Sequence, residues 1–274
     1  MLKDKIKVLF LAASLLLCCN IARGQCSAVN TAFQSGELLS YNLYFNWKFV
    51  WVKVGTASMN ITETVYKGKP AYRSYLITRG NSRADHLFML RDTLTAYVGK
   101  DLVPWRYTKH AHEGKNYYRE TVDYSYSGGK CHLKQAYSRN FLPWEHYTYD
   151  NAQCAFDMVS MLLRARSFNP EGWKPGHSIP FMMAEGRKCK QQTIVFRKKE
   201  TFQVEGSNVK YRCLVFSFME KQKNGKEKEI IKFFITDDKN HIPVRLDMNL
   251  NFGTAKAYLS SARGLRNPEG AKIK

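Results

Sequence analysis

The sequence predicts a mainly β protein: an antiparallel curved sheet, open barrel or sandwich, of roughly ten strands with one α-helix near the middle of the chain. Three observations carry this expectation. Apolar and polar residues alternate with period two through most of residues 36–262, the pattern of strands with one buried face. Glycine-bearing turns separate the runs, as in "SGGK" at 127–130 and "KNGKE" around Asn224 and Gly225, and such turns suit hairpins. Only residues 151–167, "NAQCAFDMVSMLLRARS", keep helical spacing.

The first 24 residues stand apart. Lys3, Lys5 and Lys7 precede the apolar run "VLFLAASLLLCC", which is too short to span a bilayer as a mature helix and reads as a secretory signal. Ala22 and Gly24 are the small residues that cleavage before Gln25 requires. Lipid attachment needs a small residue just before the acylated cysteine, whereas Leu17, Cys18 and Gln25 precede Cys18, Cys19 and Cys26. The expected product is therefore an exported periplasmic protein of a single domain over 25–262, followed by a disordered tail over 263–274.

The opening segment, "GELLSYNLYFNWKFVW", places Leu39, Tyr41, Leu43, Phe45, Trp47, Phe49 and Trp51 on one face. The phase then changes: Val50, Val52 and Val54 are even, Gly55 follows, and Ala57, Met59 and Ile61 are odd. A glycine at a phase slip marks a bend, bulge or turn, which divides the segment into two strands. Further strands are expected near 71–79, 88–98, 103–112, 116–126 and 130–138, paired in sequence order. The helix over 151–167 takes Asp150 as N-cap and stops before Pro170. "NPEGWKPGHSIP" reads as a connection, and strands resume near 191–204, 209–220, 229–237, 242–251 and 253–262.

The net charge of +20 falls to +17 without residues 1–24, which hold four Lys/Arg and one Asp. Outside the cytoplasm such a charge favours lipid headgroups, lipopolysaccharide or acidic glycans. The basic residues are scattered ("RKCK", "RKK", "KEK") rather than gathered in an arm, which argues against nucleic acid. Export leaves Cys26, Cys131, Cys154, Cys189 and Cys213. An odd number at wide spacing is no disulfide framework, although one or two bonds are allowed and their pairing stays open. Cys213 sits in an apolar strand pattern and reads as a small buried hydrophobe.

Enzyme motifs are sparse: there is no GxSxG elbow, no HExxH and no P-loop. His110 and His112 share a strand face beside Glu113, but no third metal ligand is indicated. Glu37, Asp92, Asp123, Asp157 and Asp238 are too scattered to pair as glycosidase carboxylates. Asp157 and Arg164 share a helix face, where an ion pair or a bond to strand backbone is the ordinary role. No catalytic residue, metal or cofactor is assigned. The aromatic row has two readings: a filled core, which is the ordinary one, or the wall of a curved sheet around an apolar guest.

The ordered series "SGELLSYNLYFNW", "VGTASMNI", "DHLFMLRDTLTAYV", "YDNAQCAFDMVSMLLRAR" and "IKFFITDDKNHIPVRL" resembles the exported bacterial proteins grouped as domain of unknown function 3108. The resemblance runs from about Phe33 to Leu259 and includes Glu37, Tyr41, Gly55, Asp92, Asp157 and Arg164. It implies a periplasmic, mainly antiparallel β protein of unassigned activity. In outline it is similar to the half-barrels that carry lipoproteins in the bacterial envelope.

The expected function is accordingly non-enzymatic: an envelope protein binding an apolar or amphipathic, lipid-like ligand on a concave β surface. Tyr41, Phe45, Trp47 and Phe49 are the candidate wall, with Lys and Arg meeting anionic headgroups and peripheral membrane contact. The alternatives are an assembly partner of another envelope protein without a ligand cavity and, third, a glycan-acting enzyme.

Overall fold

A computed structural model describes residues 26–47, 50–86, 88–204, 208–222, 224–250 and 253–273. The expected secretory leader, its expected cleavage point and Phe49 lie outside the described residues, and Trp47 is described through its backbone alone. The first meander comprises β1 (Glu37–Trp47), β2 (Val50–Tyr66), β3 (Lys69–Gly80), β4 (Leu90–Gly99), β5 (Pro104–Glu113), β6 (Asn116–Ser127), β7 (Lys130–Arg139) and β8 (Glu145–Asn151). A single turn of helix, α1 (Ser82–Asp85), interrupts it. After β9 (Ala155–Phe156) and α2 (Met158–Ala165), a second meander runs through β10 (Ser178–Glu185), β11 (Lys188–Gln203), β12 (Lys210–Lys221), β13 (Glu227–Thr236), β14 (Pro243–Leu250) and β15 (Gly253–Arg263). A last short strand is β16 (Lys272–Ile273).

Each strand pairs with its sequence neighbour within its meander, and β1 pairs antiparallel with β15, giving the order β8 to β1, then β15 to β9. The result is a nearly closed barrel of fifteen strands rather than the expected ten, with β16 beside β12. The extra strands are those whose sequence hid them. Glu145–Asn151 was expected to lead into the helix but pairs with β7, and the apolar run Ser178–Glu185 lay within and beyond an expected connection. The free ends of the sheet meet through side chains: Gly186 N donates to Glu120 Oε2 at 3.0 Å and the Tyr149 hydroxyl to Arg187 O at 2.6 Å.

The break between the first two strands falls before Val50, not at Gly55. Gly55 lies inside β2, at a bulge where Leu43 faces Gly55 and Tyr44 faces Lys53. A Cβ on Gly55 would sit 2.2 Å from Arg79 O, so β3 approaches too closely for any side chain. This bulge and those at Arg197 in β11, Ile230 in β13 and Val244 in β14 add the bend that a barrel needs.

The helix is shorter than its sequence suggested. It starts at Met158 with Asp157, not Asp150, as N-cap: Asp157 Oδ1 accepts from Ser160 N at 2.8 Å and Ser160 Oγ closes a capping box. Upstream residues are held otherwise, since β8 is sheet, Cys154 forms a disulfide with Cys26, and β9 pairs parallel with β10.

Because the strands alternate in direction, one barrel end carries the flanking segments 26–36 and 264–273 and the other carries the β1–β2, β5–β6, β7–β8, β10–β11, β12–β13 and β14–β15 connections. The end with the flanking segments is packed solid by Phe33, Ile61, Val98, Leu102, Ile242 and Leu163. The tail expected to be disordered is part of this floor. Asn240 Nδ2 donates to Asn267 O at 2.9 Å, Asn267 N donates back to Asn240 Oδ1 at 2.9 Å, and Ala271 N donates to Asp238 Oδ2 at 3.1 Å. Its polar, Pro- and Gly-rich composition reflects this bonding to the 238–240 turn rather than a lack of structure.

Candidate functional site

Above the packed floor the barrel encloses a hollow of about 1270 Å³, larger than the roughly 300–1,000 Å³ of common small-molecule sites. Its walls follow from strand alternation. Leu39 on β1 is in the packed core, whereas Tyr41, Leu43 and Phe45 face the hollow, joined by Met59 from β2, Leu246 from β14 and Ala257 from β15. Phe45 has room because Gly253 lies against its ring, where a Cβ would come within 2.8 Å. Further round, Phe181, Phe216, Phe218 and Phe233 continue the wall, and α2 contributes Met158, Met161 and Leu162.

Helix α2 is amphipathic in two directions: Val159 and Leu163 point into the packed clusters while Met158, Met161 and Leu162 line the hollow. Its start is anchored by the fully buried Asp157, which also accepts from the Tyr124 hydroxyl at 3.2 Å and whose pKa burial raises. Its end is anchored by Arg166. That guanidinium donates to Glu37 Oε1 and Oε2 at 2.5 and 2.9 Å and to Asn240 O at 3.0 Å, with both side chains only 1% exposed. His241 Nδ1 donates to Arg166 O at 2.6 Å, and burial lowers the imidazole pKa. The ion pair lies at the base of the hollow, where Arg166 is part of its lining. Burial also pushes the Tyr41 hydroxyl pKa upward.

Two carboxylates, Asp92 and Glu113, stand in the wall. Asp92 on β4 accepts from Thr78 Oγ1 at 2.9 Å through Oδ2, while its buried Oδ1 has no hydrogen-bond partner. Burial pushes its pKa up to about 6, with the charge of Glu113 adding to the effect. A carboxyl that binds its proton more tightly when folded stabilises the protein below its unfolded pKa near 3.8, and that stability is lost as pH rises through 6. In urea unfolding between about pH 4 and pH 8, Asp92→Asn is expected to remove about 1–3 kcal/mol of the decline in stability with rising pH. An unchanged difference between the two pH values would show that Asp92 is ionised at little cost.

Of the expected wall residues, Tyr41 and Phe45 line the hollow. Trp47 pairs with Val50 through its backbone, and Phe49 is outside the described residues. Asp157 and Arg164 serve the backbone instead of each other: Asp157 caps α2, and Arg164 Nη1 donates to Cys26 O at 2.5 Å. His110 and His112 share the outer face, where both rings meet Tyr117; among the described residues no cluster of three potential metal-ligating side chains forms. Among the described residues Cys26 bonds to Cys154, leaving Cys131, Cys189 and Cys213 as thiols. Burial pushes the Cys213 thiol up to about 12, which makes it a poor nucleophile.

These features define a class: a β-barrel-like protein with a large apolar chamber floored by one helix and the segments 26–36 and 264–273 that flank the sheet. Residues 40–260 match the family model described as protein of unknown function (DUF3108), and the chain belongs to that family. No curated protein matches it. Among solved structures it is similar to a beta-barrel-like protein of domain of unknown function DUF1849 from Brucella abortus, with a TM-score of 0.53 and 14% identity over 86% of this chain and 98% of that one. A putative exported protein with YmcC-like fold from Bacteroides fragilis aligns at a TM-score of 0.36 and 8% identity, over 86% of this chain and 99% of that one.

Proposed function

We propose that the protein is a non-enzymatic binding protein of the cell envelope that holds an apolar or amphipathic, lipid-like ligand inside its barrel. The observation that carries this reading is the hollow of about 1270 Å³, walled by Tyr41, Phe45, Phe181, Phe216 and Phe233 and the methionines of α2. Apolar surface bordering a cavity gains free energy when an apolar guest covers it, at roughly 25 cal/mol per Å². Export is supported by the charged and apolar leader pattern and by the Cys26–Cys154 disulfide, a bond that persists in oxidising compartments.

Titration with a fluorescent long-chain fatty acid tests the reading. The intact protein is expected to bind the probe, and Leu162→Trp combined with Leu246→Trp to weaken binding at least about tenfold, because two indoles then occupy the guest's volume. Both leucines are half-buried and border the hollow, so the rings have space and the cost of overpacking, typically about 1–3 kcal/mol, is avoided. Absence of binding to the intact protein, or equal binding by the filled variant, rules the chamber out as a lipid site.

A further inference from the structure

The barrel end opposite residues 26–36 and 264–273 carries an unusual surface. Val52, Phe88 and Leu250 border the hollow and are also exposed, so the chamber opens here. The rim can be followed from contact to contact. Phe45 lies against Gly253, Asn81 donates to Lys53 O and so ties α1 to β2, and Phe88 lies against Gly114 of the β5–β6 hairpin. Beyond Gly114, Arg139 donates to Asn116, and Phe141 stacks on Tyr117 with ring centroids 4.9 Å apart. The most exposed point is the β7–β8 connection, where Phe141 and Leu142 are 72% and 63% exposed and Trp144 is exposed beside them.

Asn140 and Phe141 both adopt the left-handed conformation, with φ of 51° and 61°. That backbone is costly for a bulky aromatic side chain, and here it accompanies a ring left largely in water. Among the described residues, the other large exposed apolar residues, apart from Val50 at this same rim and Met158 in the chamber, are the aliphatics Val29, Leu38 and Val65, all away from this end. Charge follows the same polarity. Lys115 and Lys226 on the connections and Lys53, Lys188 and Lys221 near the strand ends beside them are exposed at this end, while Asp85, Glu113 and Glu145 are engaged by Arg91, Lys109 and Arg187, leaving Glu185 and Glu227 as opposing carboxylates among the described residues.

We propose that this rim docks on an anionic phospholipid bilayer, with Phe141, Leu142 and Trp144 entering the headgroup region and the lysines meeting phosphates. Aromatic side chains favour the membrane interface, and each basic residue near an anionic surface adds attraction that falls away within a Debye length. A bilayer fits this charge and shape, because apolar tips and lysines lie around an opening whose interior is itself apolar. The docking stands on the rim alone. Its purpose, passage of a lipid between bilayer and chamber, rests on the function proposed above.

Flotation with vesicles tests the docking, using phosphatidylcholine alone and phosphatidylcholine with phosphatidylglycerol in equal parts. The protein is expected to float with the anionic vesicles only, and less as salt is raised. Phe141→Ser/Leu142→Ser is expected to reduce flotation at least about tenfold, with a cooperative thermal transition retained and binding of the soluble fatty-acid probe unchanged, because neither residue borders the chamber. Equal flotation of the double variant, or equal flotation with uncharged vesicles, overturns the proposal. So does self-association abolished by the double variant without vesicle binding, which would make the rim a contact between copies. Flotation without probe binding leaves the docking standing and removes the chamber's assigned role; probe binding without flotation does the reverse.

Discussion

Glu37→Gln is expected to lower the unfolding free energy by about 3–5 kcal/mol, the cost of leaving one member of a buried ion pair without its counter-charge. The geometry leaves little room for relief. Arg166 is 1% exposed, its two donors to Glu37 are already directed, and its remaining bonds go to the single carbonyl of Asn240. Phe33 underlies the guanidinium at 5.6 Å and Tyr41 packs in the same cluster, so water cannot take the carboxylate's place without disturbing the floor. Replacing both partners, as Glu37→Leu/Arg166→Met, is expected to cost far less than either single change, since no charge is then stranded. Urea unfolding of the two single variants and the double variant measures the coupling directly. If the single and double variants lose the same stability, the pair is not what holds the end of α2.

The second large effect is expected from the disulfide. Cys26 and Cys154 are 128 residues apart in sequence, and closing a loop of that size is worth about 5 kcal/mol in the chain-entropy model, with measured losses typically about 2–5 kcal/mol. The bond also ties the segment before β1 to the residues just ahead of α2, and Arg164 reinforces the same junction through Cys26 O. Cys26→Ser/Cys154→Ser should therefore unfold at lower urea and exchange its amide protons faster over 158–165. Reductant should shift the unmodified protein to the same midpoint and leave the variant unmoved. A midpoint insensitive to reductant would mean that packing of Phe33 and Leu163 alone secures the floor.

Local patterns in the sequence account for much of the barrel. Period-two alternation marks β2 to β7 and β11 to β15, and the turn chemistry of Gly128–Gly129 and Asn224–Gly225 marks two hairpins. What failed depended on partners far away in the chain. Asp150 and Asp157 are both acceptable caps, and only the pairing of β8 with β7 decides between them. Ser178–Glu185 is a short apolar run containing Pro180, and it becomes a strand because β11 pairs along it. Tyr41 and Phe45 were legible as wall residues from their shared face. Phe216, Phe218 and Phe233 lay in strands that were equally regular, but nothing local indicates that these strands curve round to face the same space. The Glu37–Arg166 pair joins residues 129 apart and had no signal beyond two charged residues in apolar surroundings.

The pairing of β1 with β15 has a further consequence, for the order of assembly. The seam in the middle of the sheet joins the first long strand to the last, so a polypeptide emerging amino end first presents β1 with a bare hydrogen-bonding edge until more than two hundred further residues have followed. Contacts of such sequence separation form slowly, and an uncovered edge is the usual route to aggregation. Maturation of this molecule is thus a race in which the amino-terminal meander must be shielded until its carboxyl-terminal counterpart arrives.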